Sequence, residues 1–243
     1  MLPLLLLLLL PTVIHSSGQL FGEECEETAK CPPGYKMVDR EGGRKWCLKY
    51  FDIGNLTFFE AEKYCRCQGG ATLSGIENFQ EYKWVVSKIQ EDFDKENVKN
   101  GAVWLGAYRR MACHGPKTKW ESLPECTKKL MFQWTDRDTK GTWLFSDDHW
   151  KTGAPEGTVS GHQQESCIQL LISTEESGPN VALSGKVDDK FCTLTGPSDG
   201  LEISKTRGFL CGRPAMGHGH GGYATGGGGG MVFIGSGKPT PKP

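Results

Sequence analysis

Ten cysteines in a chain of 243 residues constrain this protein more than any other feature, because their chemistry depends on the compartment in which it folds. The chain opens MLPLLLLLLLPTVIHSSGQLF: an unbroken leucine run from Leu4 to Leu10, Pro11, then small residues at Ser16, Ser17 and Gly18. An apolar core ending in a small-residue site reads as a secretory signal over residues 1–18, although no Lys or Arg precedes the leucines. Leu2 to Ile14 falls short of the roughly 20 residues that span a bilayer, so an uncleaved anchor is the poorer reading. In an oxidising compartment an even number of cysteines pairs into a disulfide framework. Zinc fits less well, because one residue rather than two separates Cys65 from Cys67 and no second pair at ligand spacing answers them. The sequon Asn55-Leu56-Thr57 suits the same compartment and makes Asn55 a glycosylation candidate.

The formal net charge of -1, with cations scattered among acids, leaves no electrostatic footprint for nucleic acid or an anionic membrane surface. No His-Glu-x-x-His helix and no nucleophile elbow is present, and cysteines destined for bridges are poor nucleophiles, so the chain reads as non-enzymatic. The length suits one packed domain plus extensions.

Residues 19–30 are acidic and polar, with Cys25 among four glutamates. Cys31 to Phe51 alternates and turns at Glu41-Gly42-Gly43, a hairpin whose ends Cys31 and Cys47 could staple. Thr57 and Glu60 form a capping box for a helix that runs to about Cys67 and stops at Gly69-Gly70. A second helix is expected from Asn78, its N-cap, to about Phe93, with Tyr82, Val85, Val86 and Ile89 on its apolar face. Short β-type runs follow: VWLGAY from Val103, KLMFQW from Lys129, SCIQLLI from Ser166, GKVDDKFC from Gly185 and GFLCGR from Gly208. This is an α+β pattern. From residue 214 the chain becomes a tail, MGHGHGGYATGGGGGMVFIGSGKPTPKP from Met216, too rich in glycine to bury a core and expected to be disordered. Its His218 and His220 offer only two imidazoles, too few for a defined metal site.

AEKYCRCQGGATL, VWLGAY, FQWTD, WKTGAPEG, ESC, VDDKFC and GFLC, in that order, resemble the C-type lectin-like domain over about residues 31–213. The likeness implies the family's α+β fold in its long form, with two helices, short antiparallel sheets and a long loop region. It places Trp104 and Leu105 in the core beneath the sheet. It implies a Cys65–Cys211 bridge from the first helix to the last strand and a Cys167–Cys192 bridge across the loop region, with Cys31–Cys47 as the long form's third. Cys113 and Cys126 pair most simply with each other. Cys25 and Cys67 remain, to pair internally or leave a thiol for a second chain; the internal pair is favoured because it needs no partner.

In sugar-binding members of that family, a cis proline is flanked by two side chains that ligate calcium and bond sugar hydroxyls. A Glu before the third framework cysteine and an acidic pair on the next strand complete the set. The matching positions are Ala154, Pro155, Glu156, Glu165, Asp188 and Asp189. Ala154 offers no side-chain oxygen, which removes a sugar acceptor, yet Glu156, Glu165, Asp188 and Asp189 suffice to attract calcium if the fold brings them together. Asp136-Arg137-Asp138-Thr139-Lys140-Gly141 superficially follows an EF-hand loop, but Lys140 sits at a ligand position and no helices flank it, so it reads as a turn. Asp147-Asp148-His149 reads likewise.

The expectation is a secreted lectin-like recognition protein, similar to the large secreted sets of nematodes and other invertebrates. For those the resemblance implies roles in defence (innate immunity) or in the extracellular matrix. Its ligand would be a glycan, with calcium as a cofactor or without it. The alternatives are an extracellular protein bound without calcium, or a matrix role in which the glycine tail is a linker.

Overall fold

The computed structural model of the chain describes residues 28–197 and 200–217. The leader, Cys25, His218, His220 and the rest of the tail lie outside the described residues, so the expectations placed on them stay at the level of sequence.

The hairpin forms where alternation and glycine place it: β1 (Lys36–Arg40), a tight turn at Glu41–Gly43, and β2 (Arg44–Phe51). α1 (Phe58–Cys67) starts at its capping box, in which Thr57 Oγ1 accepts from Glu60 N–H (3.3 Å) and the Glu60 carboxylate accepts from Thr57 N–H (2.9 Å). β3 (Thr72–Leu73) precedes α2 (Phe79–Lys95), whose N-cap Asn78 accepts from the N–H groups of Gln80 and Glu81. α2 runs two residues beyond the expected Phe93. Val85, Ile89 and Phe93 bury its apolar stripe, while Tyr82 and Val86 pack at the margin. Then come β4 (Asn100–Arg109), the one-turn α3 (Lys117–Trp120) and β5 (Phe132–Trp134). The small hairpin of β6 (Val159–Ser160) and β7 (Gln163–Gln164) leads into β8 (Cys167–Ser173), β9 (Val187–Lys190) and β10 (Thr206–Pro214). The run at Lys129 yields only a short strand, because Leu130 and Met131 turn back and donate to the carbonyl of Thr127 (both 2.9 Å).

The main sheet has the order β1-β2-β10-β4-β8-β9, with β3 on β10 and β5 on β4. All pairings are antiparallel except β10 with β4, which run parallel with Phe209 beside Trp104. The last strand thereby inserts between the first hairpin and the central strand and ties both ends of the domain into one sheet. Lys30 bridges Met216, so the paired backbone reaches slightly past the expected limits of 31 and 213.

Trp104 and Leu105 are both fully buried, but on opposite faces, as successive strand residues must be. Trp104 packs with Phe51, Phe58, Ala61 and Phe209 under α1 and donates from its indole to Leu56 O (2.9 Å). Leu105 joins Val85, Ile89, Phe145 and Trp150 under α2. Between β4 and β3 the approach is so close that a Cβ on Gly106 would lie 2.1 Å from Leu73 O, which only glycine permits.

Four bridges staple this frame: Cys31–Cys47, Cys65–Cys211, Cys113–Cys126 and Cys167–Cys192, with Cα separations between 5.2 and 5.6 Å. By loop entropy the 146-residue closure at Cys65–Cys211 is worth about 5 kcal/mol, the largest of the four. Cys67 is exposed and bonds to no described cysteine.

Candidate functional site

β8 and β9 pair so that Asp188 and Asp189 lie opposite Gln169 and Ile168, at the end of the sheet where the long loop folds over. That loop carries Ala154-Pro155-Glu156, with a cis Ala154–Pro155 peptide bond. Carboxylate oxygens of Glu156, Asp188 and Asp189 come within 4.8 Å of one another. Glu165, the fourth expected member, lies outside that group; its Oε2 accepts from Thr158 N–H (3.1 Å). Glu156 is exposed, whereas the two aspartates are buried.

Two cations enter this cluster, and neither was anticipated from the sequence. Arg109, the last residue of β4, is fully buried, and its Nη2 lies 2.7 Å from Asp189 Oδ2. Its Nε donates to Glu165 O (2.8 Å), and its guanidinium lies over the rings of Phe132 (4.8 Å) and Trp120 (5.4 Å). Asp189 also accepts from Glu156 N–H (3.0 Å) and Gly157 N–H (2.8 Å). Gly157 has φ 61°, and a Cβ there would come 3.0 Å from the Arg109 guanidinium, so any other residue would strain the backbone and press on this pair. Lys151 Nζ reaches Asp188 Oδ2 at 2.9 Å, while Asp188 Oδ1 is buried without a hydrogen-bond partner.

The acids remain under-compensated. Burial, Asp189 and Asp188 raise the Glu165 carboxyl to about 7 against the Thr158 hydrogen bonds. Burial raises Asp188 to about 7 despite Lys151, with Asp189 and Glu156 adding repulsion. Asp189 is also raised by burial, although Arg109 and the two loop N–H groups oppose this.

Arg109 was legible in principle: Leu105, Ala107 and Arg109 share one strand face by alternation, and the first two are core residues. Nothing in the sequence around Lys151 marks it. Asp136 is the turn expected of it, its Oδ1 accepting from Asp138 N–H (3.1 Å) and Thr139 N–H (2.9 Å). Asp147–His149 forms a single 3-10 turn.

With this geometry in place, residues 39–214 match the family model for C-type lectin domain-containing protein 141/158. The chain belongs to this C-type lectin domain family. No curated protein matches the chain. Among solved structures, human lithostathine at 1.3 Å is 17% identical, with 76% of this chain and 91% of that chain covered and a TM-score of 0.42. A Ca2+-dependent type II antifreeze protein in its Ca2+-free form is 17% identical (75% and 99% covered, TM-score 0.43). The human scavenger receptor C-type lectin carbohydrate-recognition domain is 18% identical (76% and 99% covered, TM-score 0.39).

A calcium ion in a C-type lectin domain of this kind would need about six to eight oxygens. Asp189 already satisfies three donors, Asp188 has one oxygen on Lys151, and Ala154 is a fully buried methyl group packed in the cluster with Trp150 and Phe145. The unpartnered Asp188 Oδ1 remains as an acceptor beside the exposed Glu156. Those residues do not fit a calcium site of full coordination. Arg109 and Lys151 occupy the electrostatic role of the ion, and no helix among the described residues is long and apolar enough to cross a membrane.

Proposed function

We propose that this is a secreted, non-catalytic recognition domain that engages an extracellular protein without calcium. The observation that carries the reading is the fully buried Arg109–Asp189 pair at 2.7 Å, a fixed cation where a mobile one would sit. A fixed cation brings no open coordination position through which sugar hydroxyls could be held, and Ala154 supplies no acceptor for them. Aromatic chemistry suited to a protein surface stands beside the site. Two residues before Lys151, His149 packs on Trp143 (4.2 Å between rings) and Tyr82 (5.7 Å), and Phe79, 55% exposed, continues the patch. A half-buried aromatic cluster that ends in an exposed ring suits a binding hot spot.

A second reading rests on Asp188 Oδ1 and Glu156: a weakly held divalent cation displaces Lys151 and makes glycan binding calcium-dependent. Melting temperature measured in calcium and in chelator separates the two. Saturating calcium at a hundredfold excess over its dissociation constant would add about 2.7 kcal/mol, or about 5–10 °C for a domain of this size. The expected result is no shift; a shift of that size overturns the calcium-free reading, and retention on a glycan column in calcium but not in chelator would complete the second.

A further inference from the structure

A groove of about 490 Å³ lies away from the carboxylates, between the first turn of α1, the end of β4, the Cys113–Cys126 insertion and the β6–β7 hairpin. Its apolar lining is unusually open to water: Met111 is 79% exposed, Val159 53% and Phe59 41%. Gln163, Gln164 and Thr193 hold its walls together. Gln164 Oε1 accepts from Gly115 N–H (2.8 Å), and its amide donates to Gly115 O (3.2 Å) and Gly157 O (3.1 Å). Thr193 Oγ1 donates to Gln163 (2.8 Å), and the rings of Tyr108 and His114 stack at 6.0 Å. The groove is therefore pre-formed, and its size falls within the range of about 300–1,000 Å³ typical of binding sites.

The chain itself carries a matching segment. After Gly217 the only apolar run is Met231-Val232-Phe233-Ile234, set between Gly226–Gly230 and Gly235-Ser236-Gly237. No Asp, Glu, Lys or Arg occurs between Met216 and Lys238, so charge neither draws the run elsewhere nor holds it in water. Thirteen residues lie between Gly217 and Met231, which gives at most about 50 Å of chain. A domain of this size has a radius of gyration of about 16 Å, so that length reaches any face. Tethering of this kind gives an effective concentration on the order of millimolar, enough for a modest apolar contact to be occupied. Each Å² of apolar surface removed from water on both sides contributes about 25 cal/mol.

We propose that Met231–Ile234 docks into this groove of its own domain, so that the tail covers the face formed by Met111 and Val159. The inference is independent of how the carboxylate cluster treats calcium.

Methionine oxidation by peroxide, read by peptide mass spectrometry on the full chain, tests it. Met111 and Met231 should oxidise several-fold more slowly in the natural chain than in Phe233→Ser/Ile234→Ser. Met37 and Met216, 40% and 51% exposed, should oxidise equally in both and serve as internal standards. A synthetic GGMVFIGSG peptide added to the double variant should restore protection of Met111. Val159→Asp, a change on the groove side, should release Met231. Equal oxidation of Met111 in natural and tail-variant chains overturns the proposal. So does protection that grows with protein concentration, which would place the tail on a second copy, or protection lost in Leu20→Ser/Phe21→Ser, which would make the N-terminal segment the occupant.

Discussion

Two ionic clusters in this domain have the same stoichiometry and opposite character. At the β1–α2 junction, Arg40 and Arg44 face Glu77, Glu81, Asp136 and Asp138. In the long loop region, Arg109 and Lys151 face Glu156, Glu165, Asp188 and Asp189. In the first cluster the carboxylates are met from several sides. Arg40 Nε and Nη2 hold the two oxygens of Glu81 at 2.9 and 3.1 Å, and Glu77 N–H donates to Glu81 as well (2.9 Å). Asp136 takes Gly75 N–H (2.9 Å), Thr139 Oγ1 (2.6 Å) and the turn N–H groups. Burial pushes the Glu77 carboxyl up, but Arg44 and the N–H groups of Lys140 and Glu41 outweigh it and hold the group below its ordinary value. In the second cluster Glu165 and Asp188 rise to about 7. What distinguishes these two carboxyls from Glu77 is deeper burial together with a smaller supply of backbone donors, rather than the count of charges. A cluster saturated with N–H groups is scaffold, and one short of them holds its carboxyls protonated to higher pH.

The comparison can be broken from either side. Arg40→Met leaves Glu81 buried without its cation and should cost about 3–5 kcal/mol, measured by chemical denaturation. Arg109→Met should cost less, because Asp189 keeps two loop N–H donors and burial already favours its protonated form. Equal losses in the two variants would dissolve the distinction. Lys151→Met removes the competitor at Asp188 and should create a calcium-dependent gain, up to about 2.7 kcal/mol at a hundredfold excess over the dissociation constant, where the natural chain should show none. An unchanged melting temperature in calcium would show that Lys151 does not guard the cluster.

The pH dependence is a finer test. Glu165 and Asp188 have folded-state pKa values raised above those of an unfolded chain, so the folded state binds more protons between about pH 4 and 7. Their contribution is complete below the unfolded values and is lost as pH rises through about 7. Melting temperature should therefore fall across that window, and Glu165→Gln should flatten the fall. The Glu77 cluster contributes with the opposite sign, since its depressed carboxyl stabilises above the unfolded value. The smallest effect is at α1. Thr57→Ala removes the capping box and should cost about 1 kcal/mol in either calcium or chelator. It also removes the Asn55 sequon, so a mass loss on deglycosylation should be present in the natural chain from a secretory host and absent in this variant.

Much of the frame was readable because its signals are local. Thr57 with Glu60, and Asn78 before an apolar stripe, set both helix starts from residues three or four apart. VWLGAY and SCIQLLI are long enough apolar runs to mark the central strands. KLMFQW overstated its strand because a Thr127 carbonyl captured the N–H groups that pairing would have used. The acidic positions of the loop region were also readable, and three of the four come together. Their electrostatic state was not, since Arg109 is 80 residues from Asp189 and Lys151 is 37 from Asp188.

The cysteines, the two helix caps and the central strands follow from the sequence alone, because hydrogen bonding over three or four residues and side-chain alternation need no distant partner. Only the tertiary structure decided which cations and N–H groups reach the buried acids, that Ala154 is a core methyl rather than a vacated ligand position, and that Met111 and Val159 share a groove. Burial makes every charge depend on donors within about 3 Å, and in this fold those donors come from strands and loops that only the closed sheet brings together.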